Sequence, residues 1–311
     1  MKIGVALSGG TLRGAAHIGV LMELQEAGIR PEMIAGTSAG SVVASMYAHG
    51  FHPKMIAKIA TQSFEGRQLI DWTTSLWDLV RFFGHLPLIF TGLSKNFERL
   101  LPIGFIAGRK FEEFLGRTFK LSPTQKPIPL LLSAVDLYSG ETVVFRDSRI
   151  ADLHTGSYRS VGVKDPGTVI LPLDDPITAV RCSCSMPGVF TPRKIDGRTL
   201  IDGAIRNNLP AELLYEAGCD KVIAVDLLNA RMAPGTIRTF FDVFMRAWDI
   251  MMNEITVMQL ENENVFVLQP TIEDVGWTAF DKLDYCIEQG RQVVRDNLQE
   301  IQDYIKKPTL R

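Results

Sequence analysis

The hydrophobic pattern of the chain opens with one unit used twice. Lys2–Leu7 is a short apolar run that stops at Gly9 and Gly10, as a buried strand does before a turn. Gly9–Gly14 is that turn. Ala15–Ala27 then places Ile18, Leu21, Met22 and Leu24 on one side of a helix that ends at Gly28. Met33–Thr37 repeats the strand, and Ala39 to about His49 repeats the helix. Strand, turn and helix in succession predict a mostly parallel sheet covered by helices, an α/β fold. Further strands are expected at Leu130–Asp136, Thr142–Phe145, Leu200–Asp202, Val222–Asp226 and Val265–Gln269, with a hairpin turn at Tyr138–Glu141. Further helices are expected at Lys110–Phe119, Ala211–Ala217, Ile237–Leu260 and Asp281–Ile305. No internal repeat, low-complexity segment or linker interrupts the pattern, so residues 1–311 read as one domain.

One stretch departs from it. Residues 69–106 set Trp72, Trp77, Phe82, Phe83, Phe90, Phe97 and Phe105 among short polar gaps. The pattern fits a helical cap insert that covers an apolar pocket or touches a lipid surface. It fits equally a helical insert packed on the core, since aromatic side chains are usually buried.

Composition narrows the class. The chain has 311 residues, 46% hydrophobic and 22% charged, which suits an ordinary globular protein. The net charge of −2 gives no bulk attraction to nucleic acid or anionic lipid. Cys182, Cys184, Cys219 and Cys286 do not form a disulfide framework, and reduced thiols in the cytoplasm are expected. The apolar run at Ile3–Leu7 is too short for a signal peptide, and no apolar stretch is long enough to span a bilayer.

Candidate chemistry begins at Gly36-Thr37-Ser38-Ala39-Gly40, a G-x-S-x-G pattern between a strand and a helix. A nucleophilic serine needs a sharp turn there, and the glycines remove side chains that would clash in it. The helix N-terminus that follows favours negative charge. A plain glycine–serine turn remains the alternative. A Ser–His–Asp triad of the α/β-hydrolase order needs a histidine late in the chain, but none follows His154. His17 reads as structural, and His49 and His52 flank a helix end where capping suffices. A carboxylate is the other choice of base. Asp202 ends an apolar strand before Gly203-Ala204, a position that opens onto the crevice at the strand ends. Partial desolvation would raise its pKa and suit it to that role, although Asp-Gly is also an ordinary turn.

The Gly9-Gly10-Thr11-Leu12-Arg13-Gly14 turn matches neither a dinucleotide fingerprint nor a P-loop. Its backbone N–H groups suit an oxyanion. Arg13 either shapes the loop or attracts a phosphate-bearing head group. Cys182 and Cys184 lack further ligands at zinc spacing, so packing is expected and no metal site. Met245, Met251, Met252 and Met258 read as core packing, with an acyl tunnel or a dimer face as alternatives.

Together these segments resemble the patatin-like phospholipase family. The resemblance rests on Gly9–Gly14, Gly36–Gly40 and Asp202-Gly203-Ala204 in family order, with Ala179–Phe190 and Asn207-Asn208-Leu209-Pro210 around them. It covers most of residues 1–228 and is nearest to the stand-alone bacterial members related to the catalytic domain of neuropathy target esterase. It implies a three-layer α/β/α fold and a Ser–Asp dyad without histidine, with Ser38 as nucleophile and Asp202 as base. It also implies an oxyanion hole in the first loop, and hydrolysis of lipid acyl esters without metal or cofactor. A lipid or acyl-ester substrate follows; transient contact with a membrane surface is an expectation of the aromatic 69–106 stretch, and the absence of a nucleic-acid partner one of the net charge. The oligomeric state stays open. One departure stands out: the family usually has a third glycine where this chain has Thr11. Ala204 for the commoner glycine is a familiar variant. A non-catalytic lipid- or acyl-binding module, and a peptidase or acyltransferase using the same serine, are the rival readings.

Overall fold

The computed structural model describes residues 1–63, 71, 73, 102–121, 123–151, 153, 167–228, 237–260, 265–276 and 279–308. Among them, nine strands form one sheet. β1 (Ile3–Leu7) sits near its centre between β2 (Met33–Thr37) and β10 (Lys221–Val225), parallel to both, with β11 (Val265–Leu268) beyond β10. On the other side β2 pairs in parallel with β4 (Leu130–Asp136). β5 (Thr142–Arg146) returns antiparallel to β4 through the expected hairpin, and β6 (Thr168–Pro172) runs parallel to β5. β8 (Arg193–Ile195) and β9 (Arg198–Asp202) form an antiparallel pair that joins through β9 to β4. A separate parallel pair links β3 (Gly104–Ile106) to β7 (Gly188–Phe190).

Alternation along the buried strands builds two cores. Val5, Leu7, Ile34, Leu132, Ile223 and Val225 point to one face. There they meet α1 (Ala15–Glu26), α2 (Ala39–Ala48), α3 (Pro53–Ser63), α4 (Arg109–Phe119), α5 (Pro176–Ser183), α9 (Leu283–Asp296) and α10 (Leu298–Lys306). Ala6, Ala35, Leu131, Val222 and Ala224 point to the other face and meet Leu213 and Leu214 of α7 (Ala211–Glu216). Helices on both faces of a mostly parallel sheet make the three layers. Between β9 and α7 lies the short α6 (Ala204–Asn207), and α8 (Phe240–Leu260) precedes β11. α1 and α9 approach closely because each offers a glycine. A Cβ on Gly19 would collide with the Ile287 carbonyl, and one on Gly290 with that of Ala16.

Three of the expected features take a different form in the structure. The helix expected over Asp281–Ile305 breaks at Asn297, whose side-chain amide donates back to the Val293 carbonyl at 2.8 Å and divides it into α9 and α10. The 69–106 cap falls mostly outside the described residues. Its last residues, Gly104–Ile106, form strand β3 and not a helix, because Gly104 lets the backbone lie against Phe190. The methionines of α8 are not all core: Met252 is buried, but Met251 and Met258 are 59% and 68% exposed.

Candidate active site

Ser38 stands between β2 and α2 with φ 52° and ψ −124°, outside the ordinary range for a residue with a side chain. Such a conformation costs roughly 1–3 kcal/mol and persists only where the surroundings enforce it. The flanking glycines do so. A Cβ on Gly36 would lie 2.5 Å from the Gly40 carbonyl oxygen, and one on Gly40 would strike the Leu7 carbonyl. The elbow is therefore closed by backbone on both sides, with the serine hydroxyl presented outward.

The sheet brings Asp202 to that hydroxyl. β4 carries two neighbours end to end on one edge. β2 runs in parallel and ends with Thr37 opposite Ser133, while β9 runs antiparallel and ends with Asp202 opposite Ala134. Strands that approach head-on along one edge must meet at their C-termini. The Ser38 hydroxyl donates to Asp202 Oδ2 at 2.6 Å. The other carboxylate oxygen accepts the Ala204 N–H at 2.9 Å. Asp202 is 2% exposed. Burial pushes its carboxyl up to about 7, against the downward pull of the Ser38 hydroxyl and the Ala204 N–H.

The end of α5 holds both residues in place. Ser183 Oγ accepts the Ser38 N–H at 2.9 Å. The Cys184 thiol donates to the Ser38 carbonyl at 3.2 Å, and Ser41 Oγ donates to it at 2.6 Å. The Ser185 carbonyl accepts the Asp202 N–H at 3.0 Å. Arg181, buried, anchors this segment by donating to Ser185 Oγ at 2.6 Å and to the Ala107 and Thr191 carbonyls at 2.8 and 2.9 Å. Burial pushes the thiols of Cys182 and Cys184 up to about 12, so they serve as neutral packing and donor groups. Thr37 Oγ1 donates to the Asn207 carbonyl at 2.8 Å, tying the elbow to the residues after Asp202.

The Gly9–Gly14 loop lies against this pair. A Cβ on Gly9 would be 3.3 Å from that of Ser38, and one on Gly14 would be 2.6 Å from that of Ala39. Several of the loop's N–H groups are already engaged. Gly9 donates to both the carbonyl and the side-chain oxygen of Asn208 at 3.2 Å, and Arg13 donates to the Gly10 carbonyl at 3.1 Å. The latter bond closes a 3₁₀ turn over Thr11–Gly14. The N–H groups of Gly10, Thr11 and Leu12 precede the first bonded donor of that turn and find no acceptor within it. Thr11 has φ 53°, the left-handed conformation that a glycine would adopt freely. Arg13 holds the loop from outside. Its Nε donates to the Gly10 carbonyl at 3.2 Å, and its Nη2 reaches both carboxylate oxygens of Asp249 at 2.9 Å. The ion pair is mostly buried and supports the loop-shaping reading of Arg13. Asp249, on α8, carried no signal in the sequence.

His17 lies beneath the loop. Its Nε2 donates to the Ser8 carbonyl at 2.8 Å, and burial lowers its pKa to about 4, so the ring is neutral. His52 Nδ1 accepts the Lys54 N–H at 3.1 Å, a capping contact, and His49 packs edge-on to Phe119. His85 and His154 lie outside the described residues. An apolar cleft of about 100 Å³ opens between the loop and α2, lined by Leu12, Ala39, Val42, Met46, Ile59 and Phe114 among others. Among the described residues no group of His, Cys, Asp or Glu is arranged to hold a metal ion. Nor is any helix there long and apolar enough to cross a membrane.

Comparison with known proteins bears on this arrangement. The family model described as patatin-like phospholipase matches residues 5–215. The chain belongs to the patatin-like phospholipase family. It is 23% identical over 329 residues to an uncharacterized NTE family protein of Mycobacterium tuberculosis, covering 98% of this chain and 48% of that one. It is 24% identical over 334 residues to a Kluyveromyces lactis protein named lysophospholipase NTE1, covering 99% of this chain and 20% of that one. The chain thus spans about half, or less, of the length of these relatives. The crystal structure of VipD from Legionella pneumophila shares the fold, with a TM-score of 0.52 and 17% identity, over 96% of this chain and 67% of that one.

The patatin-like match ends before α8, so the Arg13–Asp249 pair joins a residue inside the matched region to one beyond it. All the motif residues read from the sequence are brought together: Gly36, Ser38 and Gly40 in the elbow, Asp202, Gly203 and Ala204 at the end of β9, and Gly9–Gly14 beside them. Sequence reasoning missed Ser183, Ser185, Asn208 and Asp249. The first three sit in the family-like segments 179–190 and 207–210, where short polar side chains in an apolar context were the available signal.

Proposed function

We propose that this patatin-like protein is a serine hydrolase of fatty-acyl esters, with Ser38 as nucleophile and Asp202 as its base. The observation that carries the proposal is the 2.6 Å bond from Ser38 Oγ to a carboxylate that burial has raised to about 7. A base with that pKa accepts a proton near neutral pH without a histidine. In the first step Asp202 takes the hydroxyl proton as Ser38 Oγ attacks the ester carbonyl. The tetrahedral oxyanion collapses, the alcohol leaves with the proton held by Asp202, and an acyl-enzyme forms. In the second step Asp202 removes a proton from water, the resulting oxygen attacks the acyl-enzyme, and the fatty acid leaves as Ser38 regains its proton. Gly10, Thr11 and Leu12 are our candidates for the oxyanion donors, since the N–H groups of Gly9 and Arg13 are bonded elsewhere. The scheme uses no metal or cofactor.

The apolar cleft beside Ala39 suits an acyl chain. A lysophospholipid or phospholipid is the proposed substrate class, by analogy with the family and with the relative named a lysophospholipase. The test pairs a fluorophosphonate probe with a short-chain ester assay. Wild-type protein is expected to be labelled at Ser38 and to turn over the ester, and Ser38→Ala to do neither while keeping its fold. Undiminished hydrolysis by Ser38→Ala would overturn the assignment. Lipid binding without labelling of the wild type would favour a non-catalytic module.

A further inference from the structure

Helix α8 turns an apolar side to solvent. Val243, Phe244, Ile250, Met251, Val257 and Met258 are between 36% and 68% exposed. They fall as three adjacent pairs, each seven residues after the last. On an α-helix that spacing forms one continuous stripe. Ala247 and Glu254, both exposed, fill the gaps between the pairs. The opposite side faces the protein. Met252 and Thr256 are buried there, and Trp248 and Ile255 pack around Ala204, Leu228 and Met252. Thr256 Oγ1 also accepts a bond from Asn208 at 3.1 Å, and Gln259 donates to the Arg206 carbonyl at 2.8 Å. The helix is thus attached by its inner side, whereas a surface helix ordinarily presents polar residues outward. At about 100 Å² per side chain the stripe exposes roughly 600 Å², the top of the range for patches on monomers. It approaches the roughly 800 Å² that each partner contributes to a stable interface.

Charge chooses between a lipid surface and another protein. Helices that lie in a bilayer interface carry Lys and Arg on their polar side. Residues 240–260 contain no Lys, one Arg and three acids, Asp242, Asp249 and Glu254. Glu254 sits in the middle of the apolar stripe, where a bilayer would have to bury its carboxylate beside its own head groups. The stripe is, in contrast, complementary to itself. With an antiparallel copy about a two-fold axis between positions 250 and 251, position 243 meets 258 and 244 meets 257. Glu254 then meets the small Ala247, which leaves room for its side chain. We propose that α8 forms the interface of a two-fold homodimer, pairing antiparallel with the same helix of a second copy.

The test measures mass, so it stands apart from the fate of the proposed activity. In sedimentation velocity at about 10 μM, wild-type protein is expected at the dimer mass, a usual range for an interface of this size. The double variant Ile250→Glu with Met251→Glu is expected at the monomer mass with an unchanged circular dichroism spectrum. Ile250→Cys, beside the axis, is expected to give an intermolecular disulfide on mild oxidation, a readout that survives if the double variant misfolds. A monomeric wild type overturns the proposal, as does a folded double variant that remains dimeric. A monomeric wild type that floats with phosphatidylglycerol vesicles, in a manner lost in the double variant, would reassign the stripe to lipid.

Discussion

The Ser38–Asp202 pair and the Gly9–Gly14 loop adjoin one another but are held in different ways. Around the pair, the strained elbow is shaped by the motif's own glycines, and longer-range partners brace it. Two glycines shape the elbow, the end of α5 supplies Ser183, Cys184 and Ser185, and strand β4 aligns both partners on one edge. Around the loop, constraint is remote. Thr11 occupies a conformation suited to glycine, and the loop is kept in shape by Arg13, which depends in turn on Asp249 of α8. A strained backbone can therefore be enforced from inside a motif or from an element far along the chain. The second arrangement is open to change at a position that no motif marks.

The largest expected effect is at the pair. Asp202→Asn should lower kcat/KM by roughly 10²- to 10⁴-fold, the range that a positioned general base contributes. In the wild type, kcat/KM should rise with pH on an acid limb centred near 7, because Asp202 must be ionised to act. An acid limb centred near 4 would show that the carboxyl is not raised and would weaken its assignment as base.

The same carboxyl makes a prediction about stability. Folded Asp202 holds its proton more tightly than the unfolded residue does, so its contribution is fully present below the ordinary carboxylate range. It is lost as pH rises toward 7. Above that window the folded state contains a buried charge that Asn would not carry. Asp202→Asn should therefore have a higher Tm than wild type at pH 8 and gain little at pH 4. Equal shifts at both pH values would show that the difference comes from packing.

The loop should respond less. Asp249→Asn is expected to lower kcat about tenfold with KM nearly unchanged, since it removes the charge that positions Arg13 and so loosens any oxyanion donors. Asp249→Glu should recover part of the loss. A change confined to KM would place Asp249 in substrate binding instead. The smallest effect is expected from Thr11→Gly. Relief of the left-handed backbone, offset by the greater freedom of glycine when unfolded, should leave stability within about 1 kcal/mol of wild type. A large fall in Tm would mean that the Thr11 side chain makes a contact the loop needs.

Much of the architecture was legible because its signals are local. Short apolar runs located β1, β2, β4 and β10, and the hairpin between β4 and β5 was visible in Tyr138–Glu141. Other elements were overlooked or hidden. Asp175-Pro176 is a readable helix start, with the Asp175 side chain accepting the Ile177 N–H at 3.0 Å, yet α5 was not expected. β3, β7 and β8 are three residues each, too short for any period to register. The break at Asn297 was invisible because nothing in a helical period marks a side chain that bonds back to its own turn.

The sequence by itself determined the elbow, since only glycine fits where Gly36 meets the Gly40 carbonyl and Gly40 meets the Leu7 carbonyl. It also placed Asp202 at the end of an apolar strand, where only the family resemblance singled it out as the candidate base, and set the Gly9–Gly14 turn before a helix. Tertiary structure decided how these parts meet. Positions 38 and 202 touch because β2 and β9 approach head-on along the same edge of β4, a pairing between strands far apart in the chain. Burial then moved the Asp202 carboxyl from its ordinary range to about 7, and an ion pair from α8 fixed the loop. Desolvation and long-range pairing depend on what packs around a residue, and a local pattern of apolar and polar positions carries no record of that.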